Sequence, residues 1–205
     1  MTTTRKRLSP DESRAAALEA ARALLIETGP QAVTLKAVAQ RIGRTHANVL
    51  HHFGSALELQ KALAARMVQD ACEVTTNAIT GARLGEVDHA IIVDNSFTAF
   101  GANGLWALAT WMVLSGEREA LGPMMEKLHQ LTDTIADYEA REFTGAIRAE
   151  AVARDTLAVV LLALGDALLG KELTEALGLP RDTARSLALS RLKRSAQLVE
   201  QRESA

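Results

Sequence analysis

The chain has 205 residues, of which 48% are hydrophobic and 3% aromatic, and its net charge is −2. This composition provides a buried core for one or two domains, and it lacks the overall basic excess that would by itself indicate a nucleic-acid partner. Alanine and leucine are abundant, runs of β-branched residues are few and no alternating strand pattern occurs, so we predict an all-α fold.

Basic residues are concentrated near the N-terminus. Residues 1–60 contain 8 Lys and Arg against 5 Asp and Glu, a balance of +3, whereas the remainder contains 15 against 20, a balance of −5. Residues 1–8 form a polar arm with a basic cluster that includes Arg5 and Arg7, and residues 1–14 lack the apolar core of a signal peptide. A basic N-terminal part on an acidic body is typical of a DNA-binding module joined to another domain.

The first helix is marked by its end signals. Ser9 can cap it, Pro10 suits the first helical position, and Glu12 completes a capping box with Ser9. The helix is expected to end near Thr28, because Gly29 is followed by a proline. Its apolar residues should face inward at Ala17, Leu18, Ala21, Leu24 and Leu25.

Two short helices with a tight turn follow. Thr34 opens the first, whose apolar residues recur at helical spacing at Leu35, Val38, Ala39 and Ile42. Gly43 ends it, since glycine takes a positive φ at little cost. Thr45 caps the second helix, whose residues expected to face the core are Val49, Leu50 and Phe53.

This hairpin predicts a helix-turn-helix, in which residues near the start of the second helix reach base edges. Asn48 can pair with adenine and Ala47 can contact a thymine methyl. Residues 34–57 contain no acidic side chain, as a phosphate-facing surface requires. An ordinary helical hairpin in a bundle is the alternative. The expected DNA contacts are Arg5, Arg7, Thr34, Lys36, Arg44, Thr45, His46, Ala47, Asn48, His51, His52 and Ser55.

Over residues 9–60 the chain resembles the DNA-binding domain of the TetR (tetracycline-repressor) family. In that family the recognition helix ends in Tyr-x-His-Phe, followed by a small-residue turn and a lysine. The residues that match this pattern here are His52, Phe53, Gly54 and Ser55. Leu50 replaces the tyrosine and Ala56 the lysine, two family residues that commonly contact the DNA backbone.

The resemblance implies a division into two domains. Residues 1–54, with the arm 1–8, would form a three-helix DNA-binding domain, and residues 55–205 a larger helical domain for effector binding and dimerisation. A metal site is the rival reading of His51 and His52. Adjacent helical residues point about 100° apart and chelate poorly, so we predict no metal and no cofactor.

A long helix should begin at Ser55, which forms a second capping box with Glu58, and run to about Thr80. Cys72 on this helix is the single cysteine, which excludes an internal disulfide; it is either inert packing or a redox sensor. Five further helices are predicted over residues 86–100, 104–115, 118–142, 147–169 and 182–201.

By the resemblance, the middle helices enclose a ligand. Their bulky residues and few polar side chains suit a small apolar effector, although an ordinary core has the same composition. The residues expected to line the site are Met67, Asn95, Phe97, Phe100, Trp106, Thr110, Trp111, Met125 and His129.

The last two helices are expected to form a dimer interface. Residues 152–169 are apolar on more than one helical face, so that helix needs a partner besides its own core. A core within one chain is the alternative, and Asp155, Asp166 and Arg191 could be interface pairs or solvated charges. The expected interface residues are Leu157, Val160, Leu161, Leu164, Leu168, Leu187, Leu192 and Val199.

These observations predict a DNA-binding transcriptional regulator, a ligand-responsive repressor that binds a palindromic operator as a homodimer. A helix-turn-helix protein without a small effector, acting architecturally or with a protein partner, is the alternative. No arrangement of catalytic residues occurs, so we do not expect an enzyme. The longest apolar stretch, residues 157–169, is shorter than the roughly 20 residues of a transmembrane helix. We therefore expect a cytoplasmic protein without a membrane partner.

Overall fold

The computed structural model describes the backbone of residues 9–83, 89–140 and 145–203, and the side chains of residues 9–78, 89–134, 149–198 and 201. Within these ranges the fold is helical and contains no strand, which confirms the predicted fold class. The helices are α1 (Pro10–Thr28), α2 (Leu35–Arg41), α3 (His46–Phe53), α4 (Ala56–Arg83), α5 (His89–Phe100), α6 (Leu105–Leu114), α7 (Gly122–Ala140), α8 (Gly145–Leu177) and α9 (Thr183–Glu203).

The helix starts follow the capping signals in the sequence. The Glu12 N–H donates to Ser9 Oγ (3.1 Å) and the Ser9 N–H to a Glu12 carboxylate oxygen (2.7 Å), which confirms the capping box of α1. Ser55 caps α4 through the Glu58 N–H (3.1 Å). The reciprocal bond of the expected capping box, from the Ser55 N–H to the Glu58 carboxylate, is not formed. That carboxylate instead accepts from Lys61 Nζ at 2.9 Å.

A single apolar core joins α1, α2 and α3 to α4, α6 and the start of α7. Its largest fully buried side chains include Leu59 and Leu63 of α4 and Leu108 and Met112 of α6. A second core lies between α5, α8 and α9, and Phe100 packs against both cores. Helix α4 therefore carries the packing between the helix-turn-helix and the body.

Helix α8 continues beyond its expected end at residue 169 and runs to Leu177. Gly170 permits this extension, since it leaves room for an ion pair between Asp166 and Arg181. The chain turns only at Gly178, whose φ of +64° suits a glycine. Asp166 pairs with Arg181 and Asp155 with Arg191 (3.1 Å), so each of these charges has a partner within the chain.

Replacing Gly170 with alanine is expected to leave the protein no more stable than wild type, because loss of the Asp166–Arg181 ion pair offsets the gain of about 0.5–1 kcal/mol that alanine brings inside a helix. An added Cβ would lie 2.8 Å from Asp166 Cγ and 3.0 Å from Arg181 Nη1, so Asp166 would turn away and release Arg181. Urea unfolding measures the change. Gly122→Ala is the control, because nothing lies within 4 Å of its added Cβ, and it should match or exceed wild type. A Gly170→Ala protein more stable than wild type would contradict the prediction.

No single helix in the described ranges is long and apolar enough to cross a membrane. Helices α5 and α6 reach the necessary length and composition only as a pair, and that pair is bent by 50°. Residues of both helices, such as Phe97 and Leu108, are buried in the two cores.

Candidate nucleic-acid interface

Helix α3 has a buried and an exposed side. Val49 and Phe53, one helical turn apart, are buried in the core shared with α1, α2 and α4. The exposed residues are His46, Ala47, Leu50 and His51. The expectation that Leu50 faces the core is therefore wrong: it lies about 100° around the helix from Val49, and its side chain is 39% exposed.

Arg14 of α1 holds the C-terminal end of α3. Its Nη1 donates to the His52 carbonyl oxygen (2.9 Å), and its guanidinium lies 4.5 Å from the centroid of the Phe53 ring. A cation near the last carbonyls of a helix is favourable because those groups carry partial negative charge. Sequence reasoning missed Arg14, since nothing local marks a contact across 38 positions.

The turn between α2 and α3 is tight. Gly43 has a φ of +63°, and the Arg44 N–H donates to the Ala39 carbonyl oxygen (2.9 Å). Thr45 then caps α3 by accepting from the Asn48 N–H (3.3 Å), and Thr34 caps α2 in the same way (3.2 Å). The predicted hairpin geometry is confirmed in each of these contacts.

The cations of this segment are not equally available. Arg41 forms a two-point pair with Glu27 (2.7 and 2.5 Å), which lowers the pKa of the Glu27 carboxyl through the donated hydrogen bonds. Lys36 and Arg44 form no ion pair with any described residue, and Lys36 is exposed. Lys36 and Arg44 are thus better placed than Arg41 to meet phosphates.

The other expected DNA contacts that the structure describes lie on or near α3. Thr34, Thr45 and His46 are exposed, and His52 and Ser55 are half-buried. Arg5 and Arg7 lie outside the described residues. The rings of His51 and His52 are 5.9 Å apart between centroids, and no group of three possible metal ligands occurs among the described residues.

Asn48 is half-buried, and its Oδ1 is inaccessible and has no hydrogen-bond partner among the described residues. An unsatisfied buried polar atom costs about 1–3 kcal/mol. Bidentate pairing with adenine needs both the oxygen and the amino group at the surface, so the carboxamide would have to rotate on binding.

Asn48→Ala is expected to leave the melting temperature unchanged or raised, while relaxing preference at one base pair by about 1–3 kcal/mol. Stability does not fall because the substitution removes the unsatisfied oxygen. Thermal unfolding and competition binding with single-base variants of a bound duplex measure the two effects. Asn77→Ala, an exposed amide on α4, is the control and should leave base preference unchanged. Equal weakening on every duplex would mean that Asn48 contacts only the DNA backbone.

The residues expected to line a ligand site do not all meet. Met67 belongs to the first core and Phe97 to the second. Met125 is exposed, and so is His129, whose Nε2 lies 3.4 Å from the Asp133 carboxylate. The half-buried residues are Asn95, Phe100, Trp106 and Thr110, and Trp111 is 39% exposed.

Helices α8 and α9 expose a row of leucines. Of the residues expected at a dimer interface, the exposed ones are Leu157, Leu161, Leu168 and Leu187, and the half-buried ones are Val160, Leu164 and Leu192. The side chain of Val199 lies outside the described residues. Further exposed leucines on or beside this pair of helices are Leu169, Leu173, Leu177, Leu179 and Leu198.

Cys72 packs in the body with its Sγ 3.8 Å from the Lys127 carbonyl oxygen. Burial raises the pKa of the thiol to about 11. Because the thiolate is the reactive form, this environment favours inert packing over redox sensing.

Comparison with known proteins finds a family similarity in the N-terminal part of the chain. Residues 17–63, which span most of α1 to the first part of α4, match the family described as bacterial regulatory proteins, tetR family. No curated protein shows a significant match to the chain. A structure described as a transcriptional regulator from Saccharomonospora viridis in complex with choline superposes with a TM-score of 0.58, at 17% identity, covering 89% of this chain and 96% of that one.

A second structure, described as a tetR family transcription regulator from Shewanella sp. PV-4, has a TM-score of 0.45 at 15% identity and covers 87% of this chain and 96% of that one. The hairpin with an exposed second helix, carried on a helical body, defines a helix-turn-helix regulator. Residues 17–63 of the chain thus resemble the DNA-binding part of the tetR family of bacterial regulatory proteins.

Proposed function

We propose that the protein is a homodimeric, ligand-responsive repressor that binds a palindromic operator through two copies of α3. The observation that carries the proposal is the row of exposed leucines on α8 and α9. A two-fold dimer presents two recognition helices, and these match half-sites about 34–36 Å apart on one face of the duplex.

The spacing of the α8 leucines supports a helix-helix seam. Leu157, Leu161, Leu164 and Leu168 follow one another at intervals of 4, 3 and 4 residues, the repeat along which paired helices pack. Burying a leucine is worth about 1.5–3 kcal/mol, and each residue counts twice in a two-fold interface. Helices α8 and α9 of two chains would then form a four-helix bundle.

The proposed coupling between effector and DNA passes through α4. Its Leu59 and Leu63 lie in the core shared by the hairpin and the body, and Gln60 Nε2 donates to the Val33 carbonyl oxygen (3.1 Å) just before α2. A ligand that displaces α4 would therefore move α3. The change in DNA affinity can be no larger than the ligand's preference between the two states.

A small apolar effector is proposed on the apolar character of the middle helices. The complex of the Saccharomonospora viridis protein with choline supports a small-molecule effector, but not the same one, since the identity is 17%.

The second candidate is a DNA-binding regulator without a small effector, acting architecturally or with a protein partner. Two observations favour it: Met67 and Phe97 lie in different cores, and Met125 and His129 lie on an exposed face of α7. Thermal-shift screening with apolar metabolites separates the candidates, because an effector that binds only the folded state raises its melting temperature.

The DNA-binding proposal is tested by selecting duplexes from a random pool at low salt and measuring affinity against salt concentration. An enriched palindrome is expected, with affinity falling steeply as salt rises because bound phosphates release counterions. Enrichment of a single half-site would contradict the dimeric operator, and no enrichment would contradict α3 as a base reader.

A further inference from the structure

The exposed arc of α3 is apolar at its centre. At about 100° per residue, taking His46 as the origin, Leu50 lies near 40°, Ala47 near 100° and His51 near 140°. These four residues are the exposed ones of the helix, and Leu50 and Ala47 lie between the two histidines. A partner that covers this arc must contact Leu50.

Packing within the chain does not account for Leu50. It belongs to neither apolar core, whereas its neighbour Val49 is fully buried. Leu50 is therefore an exposed apolar side chain on a surface that has no acidic residue from 34 to 57.

The chemistry of the leucine side chain selects its partner within DNA. It has no hydrogen-bond donor or acceptor, so it cannot replace the phosphate contact of the tyrosine that the family carries at this position. Among the groups that base pairs present in the major groove, the thymine C5 methyl is the apolar one. Ala47, one helical turn before Leu50 and also exposed, has a small side chain that does not extend beyond it.

We propose that Leu50 is a specificity-determining residue that reads thymine by packing against its C5 methyl group. This rests on the proposed binding of α3 in the major groove. The proposal gives Leu50 a role in base recognition at the position where the family tyrosine contacts the DNA backbone. This chain would then make fewer phosphate contacts and gain a preference for one base.

The test uses duplexes that the full-length wild-type protein enriches from a random pool. Each dT of the enriched sequence is replaced in turn by dU, which removes only the methyl group, and binding is followed by fluorescence anisotropy. For wild type, one dU substitution in a half-site should weaken binding about fourfold, the factor for one buried methyl-sized group. Leu50→Ala should bind the dT and dU duplexes equally.

Two variants serve as controls. Leu50→Met keeps an apolar side chain of similar length and should retain the dT preference. Leu114→Ala removes another exposed leucine, on α6 and away from the hairpin, and should behave as wild type. Because Leu50 is outside both cores, all three variants should keep the wild-type melting temperature.

The outcomes separate this inference from the proposed function. If no dU substitution weakens wild-type binding, or if Leu50→Ala keeps the full dT preference, the inference is overturned while DNA recognition stands. If Leu50→Ala weakens binding by the same factor on dT and dU duplexes, Leu50 contacts sugars and not the methyl group. That result also overturns the inference. If no duplex is enriched at all, base reading by α3 fails and the inference with it.

Discussion

Leu161→Glu is expected to turn the proposed dimer into a 22.0 kDa monomer and to lower affinity for the proposed operator by at least about a hundredfold. Leu161 is 57% exposed in the single chain and lies in the proposed α8 seam. In that dimer the variant would remove apolar burial twice and place two carboxylates in the seam. Because a dimer binds its second half-site intramolecularly, losing the partner removes that gain of about 10²–10⁴ in affinity.

Sedimentation velocity at micromolar protein gives the mass, and anisotropy with the enriched palindrome gives the affinity. Leu114→Glu is the matched control: this leucine is 80% exposed, lies on α6 and should change neither mass nor affinity. Circular dichroism should show the same helix content in both variants, since neither site is in a core. A Leu161→Glu protein that remains a dimer would exclude α8 as the seam.

Leu63→Ala is expected to lower the free energy of unfolding by about 2–5 kcal/mol and to destabilise the hairpin and the body together. Leu63 is 1% exposed and lies in the core that joins α1, α2 and α3 to α6. The cavity left by the missing methyl groups therefore borders both parts. If the two parts unfold together, the predicted boundary between residues 54 and 55 separates two proposed functions but not two independently folding units.

Two probes report on the two parts. Both tryptophans, Trp106 and Trp111, are on α6, so their fluorescence follows the body, while amide hydrogen exchange in α2 and α3 follows the hairpin. Leu114→Ala, at an exposed position, should shift neither probe by more than about 0.5 kcal/mol. If exchange in α2 and α3 is unchanged in Leu63→Ala, the two parts unfold independently and the shared core is not cooperative.

Much of the hairpin could be predicted because its signals are local. Ser9, Thr34 and Thr45 cap their helices through atoms three residues away, and Gly43 adopts its positive φ whatever surrounds it. Helical spacing likewise identified Val49 and Phe53 as buried. The same spacing failed for Leu50, because an apolar residue at the edge of a stripe can face either the core or a partner.

The functional assignments divide in the same way. The DNA contacts around α3, predicted from side-chain chemistry and the absence of acidic residues, stay predictions. The ligand residues could not be brought together by composition, because Met67 and Phe97 are apolar residues of two separate cores. Which core each residue enters depends on how α4, α5 and α8 pack, and that is decided by contacts far apart in sequence.

The sequence by itself determined the class of fold and the helix starts, since these rest on caps, glycines and helical period within a few residues. Only the tertiary structure decided that Leu50 is exposed, that Arg14 holds α3 and that α8 runs past Gly170. Each of these depends on partners many positions away: the core around Val49, the His52 carbonyl and Arg181. Such contacts form only when distant helices meet, and no local pattern records them.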